Sequence, residues 1–385
     1  MSHDIVVLGA GYAGTSAVQS LEQRFQHRDC NITWVDLHDY HLVLHEVHRV
    51  IRNPDAKHEI TIPINEIKES STNFIRGRVE TIETDQQVIS LDDGTEISYD
   101  YVLIALGSQT AYYGISGLSD NAHTVKSLDD ALTIHDQLRD QANTASEENP
   151  AHVVVGGAGL SGIQTAGEIA ALADEEGLPI SVTLVEAMES IMPGHSSDLQ
   201  RSVRRELEQA NIDILTDDPI TEAKATEIEF ASGNSVNFDL FIWTGGITGR
   251  DTMESVSVAK EHNRVQADTT FKTSDDSVFV IGDAGLINDG DGVIPPTAQA
   301  AWQAANTVAK NIERSIDEKP LEAWNYSDKG TVISIGESAV AHSVPVSPIE
   351  TFGSYPAQIL KKMVAARWIA SVTTWSRALR SWKTL

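Results

Sequence analysis

Short continuous apolar runs, each ended by a glycine or an acid, alternate along this chain with longer stretches of helical composition that contain no proline. Ile5-Val6-Val7-Leu8 stops at Gly9, a helix-forming stretch follows from Tyr12 to Phe25, and a second apolar run from Ile32 to Val35 ends at Asp36. Strand, tight turn, helix and strand within about 30 residues make a βαβ unit. The pattern returns at Val153-Val154-Val155, with a helix-like stretch to Glu176 and a run from Ser181 to Val185 that ends at Glu186. Between the units, Gln87 to Leu91 and the segment from Glu96 flank Asp92-Asp93-Gly94-Thr95, where Asp-Gly predicts a hairpin turn. The polar stretch Gln141 to Pro150 predicts a loop, Leu199 to Gln209 and Thr297 to Ile312 predict helices, and Val278-Phe279-Val280-Ile281 predicts a strand running into Gly282-Asp283. An α/β fold with two Rossmann-like units follows.

Both turns carry chemistry. In Gly9-Ala10-Gly11-Tyr12-Ala13-Gly14 the first glycine permits the tight turn, the second lets a pyrophosphate approach the backbone, and the third lets the helix pack on the strand. The helix N-terminus offers unpaired N–H groups and a dipole that favour phosphate. Asp36, 27 residues after Gly9, stands where a carboxylate accepts hydrogen bonds from ribose hydroxyls. Gly157, Gly159 and Gly162, with Leu160 and Ser161 at the helix start and Glu186 29 residues after Gly157, repeat the arrangement. A chain with two such units binds two dinucleotides. Glu186 is followed by Ala187-Met188-Glu189 with no arginine, which favours the free ribose hydroxyl of NADH over the 2′-phosphate of NADPH. The N-terminal site of two-nucleotide proteins commonly holds the flavin, so FAD is assigned to the first site and NADH to the second.

The 385 residues suffice for two or three domains, and 41% hydrophobic with 22% charged residues identifies a globular chain rather than a disordered or fibrous one. The 56 acidic residues against 28 Lys plus Arg leave a formal charge of −28, which repels phosphate backbones and excludes nucleic acid as a partner. Such an excess points to a halophilic protein, since molar salt shortens the reach of self-repulsion. Fold or activity is therefore expected to fail in dilute buffer, and circular dichroism across a salt series checks this. Cys30 is the single cysteine, so neither an intramolecular disulfide nor a Cys-x-x-Cys pair is possible. With no basic leader and no run of about 18 apolar residues, the chain is expected to be neither exported nor membrane-spanning.

His38, His41, His45 and His48, spaced 3, 4 and 3, would share one helical face. No cysteine and few carboxylates accompany them, so packing and hydrogen bonding beside the cofactor is expected rather than metal binding. No nucleophile-base pair suggests hydrolysis.

The chain resembles the two-dinucleotide flavoprotein superfamily, in which an NADH domain is inserted in an FAD domain. Ala105-Leu106-Gly107-Ser108 is similar to the strand end that contacts flavin, and Val278 to Asp283 to the second FAD fingerprint, with Asp283 on the ribityl or phosphate part. Dithiol reductases of this superfamily carry a cysteine pair where His41 to Val50 has none, and sulfide:quinone reductases also rely on cysteines. The remaining resemblance is to type II NADH dehydrogenases, single-subunit NADH:quinone oxidoreductases. It rests on Tyr113 to Leu118 with Lys126 to Ala131, on Pro295-Pro296-Thr297-Ala298-Gln299-Ala300-Ala301-Trp302-Gln303, which matches the Ala-Gln-x-x-x-Gln quinone motif, and on Tyr326-Ser327-Asp328-Lys329-Gly330.

The resemblance implies an FAD-binding domain in residues 1–114 and 251–325, an NADH-binding domain in 115–250 and a quinone and membrane region in 326–385. It adds Val79 and Ala298, with Gln299, to the FAD site, Gly245 and Gly246 to the NADH site, a homodimer, and a quinone acceptor of the menaquinone type. Gln299 and Gln303 lie at i and i+4, so their amides project from one helix face. An amide can donate to a quinone carbonyl or accept from a hydroxyl. Lys329 would stabilise negative charge on reduced FAD. One departure stands out: where the family has Gly-Val-Glu, this chain has Gly162-Ile163-Gln164, and Gln164 lacks a proton to relay. An NADH oxidase, a reductase of a soluble carrier and an NADH-sensing flavoprotein remain alternatives.

From Thr351 onward there is no acid, and the tail carries Lys361, Lys362, Arg367, Arg377, Arg380 and Lys383. Trp368, Val372, Trp375, Leu379 and Trp382 fall at 4-3-4-3 spacing on one helix face. This predicts an amphipathic helix lying in the cytoplasmic face of the membrane as a peripheral anchor, removable from about Gly353 with the NADH-to-FAD step preserved.

Overall fold

The computed structural model describes residues 2–345 and 347–382. Its first sheet is parallel, with strands ordered Val278–Val280, Tyr101–Ile104, His3–Leu8, Cys30–Asp36 and Asn73–Arg76. Ile5, Val7, Leu8, Val102 and Phe279 are fully buried, as expected of parallel strands covered on both faces. The second sheet is also parallel, ordered Ile212–Leu215, Ile180–Val185, Ala151–Gly156 and Leu240–Trp243. The chain leaves the first sheet and returns to it through Ser108–Thr110 and Ile247–Gly249, which pair antiparallel. The second sheet is thus built entirely from chain between two strands of the first.

Local patterning explains most elements. The helix Tyr12–Phe25 packs on Ala298–Ile316, both presenting small residues to each other, including Ala17, Ala301 and Ala305. Val88–Leu91 and Glu96–Ser98 form the hairpin, with Gly94 at φ +84°. The helix Leu128–Thr144 starts at a capping box between Ser127 and Asp130 and runs into the stretch expected as a loop from Gln141, so that the loop begins instead at Ala145. Buried Ala142 holds that last turn on the core.

Two sequence expectations change here. The four histidines do not share a helix: His41 lies on the strand Tyr40–Leu42, His45 in the 3₁₀ turn Leu44–Glu46, and His48 caps the short helix Arg49–Arg52. Their side chains are recruited by different neighbours, which overrides the helical spacing. The tail stripe is also split. The helix Ser354–Val372 ends at Thr373, and Thr374 caps a separate helix, Trp375–Ser381, by accepting from Arg377 N–H at 3.3 Å. Trp368 and Val372 face inward and are buried, whereas Trp375 and Leu379 are 67% and 70% exposed. The helix break at Thr373 turns the second half of the stripe away from the first.

The tail is consequently part of the body rather than a detachable anchor. Trp368 Nε1 donates to His41 Nε2 at 2.9 Å, and Arg377 pairs with Glu66 at 2.6 Å. Gln19 Nε2 donates to the Val372 carbonyl at 3.1 Å. Lys361, read from the sequence as a flanking base, is 4% exposed. Lys383 lies outside the described residues. No described helix is long and apolar enough to cross a membrane.

Candidate dinucleotide and electron-transfer site

The two glycine turns are built alike. A Cβ at Gly9 would collide with the Ala105 carbonyl and one at Gly14 with the Gly9 carbonyl, whereas nothing lies within 4 Å of a Cβ at Gly11. The second turn repeats this, with Gly162 against the Gly157 carbonyl and open space at Gly159. The middle glycine of each turn therefore leaves bare backbone at a helix N-terminus, the surface a pyrophosphate needs. Buried Trp34 donates to the Gly9 carbonyl at 2.9 Å, and Thr244 donates to the Gly157 carbonyl at 3.0 Å, so each turn is held from behind. Leu160 and Ser161 are exposed at the start of the second helix, while Ala10 and Ala13 are buried in the first.

The strand-end acids sit in matching positions. Asp36 accepts from Ala10 N–H at 2.6 Å and His38 N–H at 2.8 Å, and Glu186 accepts from Ala158 N–H at 2.8 Å and Met188 N–H at 3.0 Å. Each carboxylate thereby closes its glycine turn. Burial pushes the Asp36 carboxyl up, and the His38 and Ala10 N–H bonds counter it. Gly245 and Gly246 follow the strand beside the second turn, and a Cβ on Gly246 would meet the Tyr113 hydroxyl.

Ala105, Leu106 and Gly107 continue the strand next to Val278–Val280, so Asp283 arrives beside them, and its carboxylate accepts from Ser108 Oγ at 3.0 Å. Three cations surround this point that the motifs did not mark. Lys126 Nζ donates to Ser108 Oγ at 3.3 Å, Arg250 Nε to the Leu106 carbonyl at 2.7 Å, and Arg264 Nε to the Asp283 carbonyl at 2.8 Å. Val79 is buried on the strand Val79–Glu83, and Ala298 opens the helix Ala298–Ile316 behind the Thr297 cap.

Gln299 and Gln303 project from one face of that helix, and both amides clasp the segment after it. Gln299 Nε2 donates to Tyr326 Oη at 3.1 Å and its oxygen accepts from Lys329 N–H at 2.9 Å, while Gln303 Nε2 donates to the Ser327 carbonyl at 2.9 Å. Lys329 itself is exposed, with Nζ on Ser327 Oγ at 2.7 Å. Trp302, between the two glutamines, packs edge-on against Trp368 at 5.3 Å, and Trp368 packs on Tyr12 at 4.6 Å.

Behind this aromatic contact lies a buried ionic cluster that sequence patterns did not assemble. Glu46 is fully buried, bonded by Arg49 Nε at 2.5 Å and 3.3 Å from Lys361 Nζ. Burial alone would raise the Glu46 carboxyl, but Lys361, Arg49 and His45 hold it well below the usual range. Burial lowers the Lys361 ammonium against the pull of Glu46. Gln164 reaches the same place: with its amide oxygen inward it accepts from Lys361 Nζ at 2.9 Å and lies 3.2 Å from His48 Nε2, and Ser334 Oγ is 3.1 Å away. His41 contacts the Ala10 carbonyl through Nδ1 at 2.7 Å, and His45 Nδ1 meets the Tyr12 hydroxyl. Burial lowers both imidazoles to about 4. One local signal for Lys361 existed: it occupies the stripe of Ala357, Ala365, Trp368 and Val372, a charge among inward-facing positions.

The family model described as pyridine nucleotide-disulphide oxidoreductase matches residues 3–305. The type II NADH:quinone oxidoreductase of Staphylococcus aureus (strain NCTC 8325 / PS 47) is 26% identical over 389 aligned residues, covering 96% of this chain and 95% of the relative. Among solved structures, NDH2 from Plasmodium falciparum in complex with NADH aligns with a TM-score of 0.85 at 16% identity, over 99% of this chain and 97% of that one. The sulfide:quinone oxidoreductase from the bacterium Aquifex aeolicus aligns with a TM-score of 0.80 at 20% identity, over 96% and 91%. The family match spans both glycine turns and most of the chain, and the two sheets share the fold of these neighbours, so the chain belongs to the pyridine nucleotide-disulphide oxidoreductase family.

Proposed function

We propose that the chain is a type II NADH:quinone oxidoreductase. The observation that carries this is the convergence of three segments: the glycine helix at Tyr12, the glycine helix at Gln164 and the Gln299–Gln303 helix all meet around Trp368 and Lys361. FAD, held by residues of 1–114 and 251–325, would supply two-electron chemistry between NADH, held by 115–250, and the quinone. Gly9 to Gly14, Asp36, Ala105 to Gly107 and Asp283 bind and orient the first nucleotide; Gly157 to Gly162, Glu186, Gly245 and Gly246 the second. No nucleophile is required of the protein, which aligns the rings and excludes water. The quinone is a menaquinone, and the enzyme works as a homodimer.

Anaerobic stopped-flow in high salt, adding NADH and then a short-chain quinone, tests the reading. Flavin bleaching by NADH followed by reoxidation by quinone is expected. Gln299→Ala should slow the reoxidation about tenfold or more, because it releases the 326–329 segment from the acceptor side, and should leave the bleaching largely intact. Equal slowing of both phases would assign the glutamines a purely structural role.

Attachment to the cytoplasmic face of the membrane belongs to the same proposal. Tyr355, Met363, Val364, Trp375 and Leu379 are exposed apolar side chains of the tail, with Arg367 and Arg380 exposed among them. Burying a large apolar side chain is worth roughly 1.5–3 kcal/mol, so the double variant Trp375→Ser, Leu379→Ser should lower the vesicle-bound fraction at least tenfold. Co-sedimentation with anionic vesicles checks this, and undiminished binding would remove the tail from the membrane interface.

A further inference from the structure

The second glycine helix, Leu160–Glu176, carries a carboxyl that the buried cluster leaves unsatisfied. Glu168 is fully buried, and neither of its oxygens accepts a hydrogen bond from a described residue. Arg52 Nε lies 2.7 Å from Oε2 but out of line for a hydrogen bond. Glu46 is the opposite case, with Arg49 on one oxygen at 2.5 Å and Lys361 Nζ 3.3 Å from the other. Buried carboxylates are ordinarily held by donors, and one without them binds a proton more readily. Burial accordingly raises Glu168 to about 7, against the pull of Arg52 and Arg49.

This carboxyl has an inner and an outer side. Gln164 and Glu168 stand at i and i+4 on one helix face, one turn or about 5.4 Å apart. Gln164 marks the inner side, where its amide oxygen accepts from Lys361 Nζ at 2.9 Å. Lys361 Nζ also reaches the His45 carbonyl at 3.3 Å, and His45 meets the Tyr12 hydroxyl, so the cluster adjoins the first glycine helix. On the outer side Arg52 also pairs with Glu175 at 2.8 Å and with Glu337, and both of these acids are exposed. Glu168 therefore stands one arginine away from solvent and one helical turn away from the amide that meets Lys361.

In the proposed reaction NADH, one proton and a quinone become NAD⁺ and a hydroquinone. The hydride brings both electrons and one hydrogen, and the second hydrogen is a proton from solvent. Gln164 has none to give. Glu46 stays ionised between Lys361 and Arg49, and burial keeps His41, His45 and His48 uncharged in neutral solution. Among these carboxyls and imidazoles, Glu168 is the one that changes charge near neutral pH.

We propose that Glu168 is the proton-holding carboxyl of this oxidoreductase, in the place that the Gln164 amide cannot fill: it takes up one proton from solvent past Arg52 when the electron pair enters the flavin, and releases it on the Gln164 side as the hydroquinone forms. The inference rests on the NADH:quinone reading. Negative charge arriving beside the first glycine helix raises the affinity of a buried carboxylate for a proton, and reoxidation lowers it again. The charged groups facing Glu168 are Arg49 and Arg52 of the short helix Arg49–Arg52, Glu46 of the 3₁₀ turn, Glu337 between the strands Thr331–Ile335 and Ser338–His342, and Lys361 of the helix Ser354–Val372.

The test is stopped-flow with a pH-indicator dye in weakly buffered molar salt, mixing the FAD-loaded protein first with NADH and then with a short-chain quinone. Hydride transfer brings its own hydrogen, so bleaching by itself draws no proton from solvent. At pH 8 the wild type should take up roughly one proton per flavin during bleaching and none during reoxidation, and in Glu168→Gln the uptake should move to the reoxidation phase. In the wild type, early uptake should fall to about half at pH 7, where Glu168 is already half protonated, whereas protonation of the flavin itself would make it rise. That direction decides even where the variant does not fold. No early uptake in the wild type, a rise toward pH 7, or early uptake unchanged in Glu168→Gln overturns the proposal. A wild-type protein that bleaches with NADH but is never reoxidised by quinone would instead overturn the quinone reading, and the bleaching phase would still report on Glu168.

Discussion

A chain ending at Phe352 is expected to lose its cooperative fold and its bound flavin rather than emerge as a soluble, NADH-reducible enzyme. Truncation there removes Trp368, which is 2% exposed and packs on Tyr12, His41 and Trp302. Deleting a buried tryptophan side chain costs about 3–5 kcal/mol. It also strips Lys361 from Glu46 and Trp368 Nε1 from His41 Nε2, leaving a buried carboxylate short of one cation and a buried imidazole without its partner. Together these losses approach the whole stability of a typical domain, about 5–15 kcal/mol. Calorimetry and flavin retention on gel filtration check it. A truncated protein that melts within about 2 °C of the full chain and keeps its flavin would show that the tail docks only weakly.

Stability should fall steeply as pH drops from 6.5 to 4. Burial lowers His41 and His45 from 6.5 to about 4, so between those values the unfolded chain binds protons that the folded one refuses, and stability rises with pH there. At 1.36 kcal/mol per unit the two sites each remove about 3 kcal/mol by pH 4. His48, also lowered, acts in the same direction, whereas Glu168, raised by burial to about 7, takes up a proton in the folded state first and offsets part of the loss between pH 7 and 4.5. Glu46 extends the loss: its depressed carboxyl contributes stability that is complete above its ordinary value of 4.5 and is lost as pH falls further. At pH 7, Glu46→Gln leaves Arg49 and Lys361 buried without their carboxylate and should cost about 3–5 kcal/mol. Urea unfolding in molar salt at pH 7, 6 and 5 measures both effects. A flat profile over that window, persisting in Glu168→Gln, would mean that the histidines are solvated in the folded state.

Features that depend on a few neighbouring residues were legible without a structure. A glycine turn needs only its own backbone to leave room for a phosphate, so the two cradles, the strand-end acids and the helix that projects Gln299 and Gln303 follow from local spacing. The hairpin at Gly94 and the helix caps at Ser127 and Thr297 are equally local.

What the sequence determined by itself is therefore a pair of dinucleotide units, a helix with two glutamines at i and i+4, and an acid-free tail with an apolar stripe. Only the tertiary structure decided what that stripe meets. Apolar spacing of 4-3-4-3 states that a face will be covered, and a break at Thr373 then sends Trp368 into the protein and Trp375 out of it. The histidine segment shows the same limit, because its 3-4-3 spacing is overridden by partners hundreds of residues away: Trp368 for His41, and Ser334 for His48. Charge balance in a low-dielectric interior is a property of the whole set of groups brought together, so the pairing of Glu46 with Lys361, and the unsatisfied carboxyl of Glu168, exist only once distant chain segments have packed.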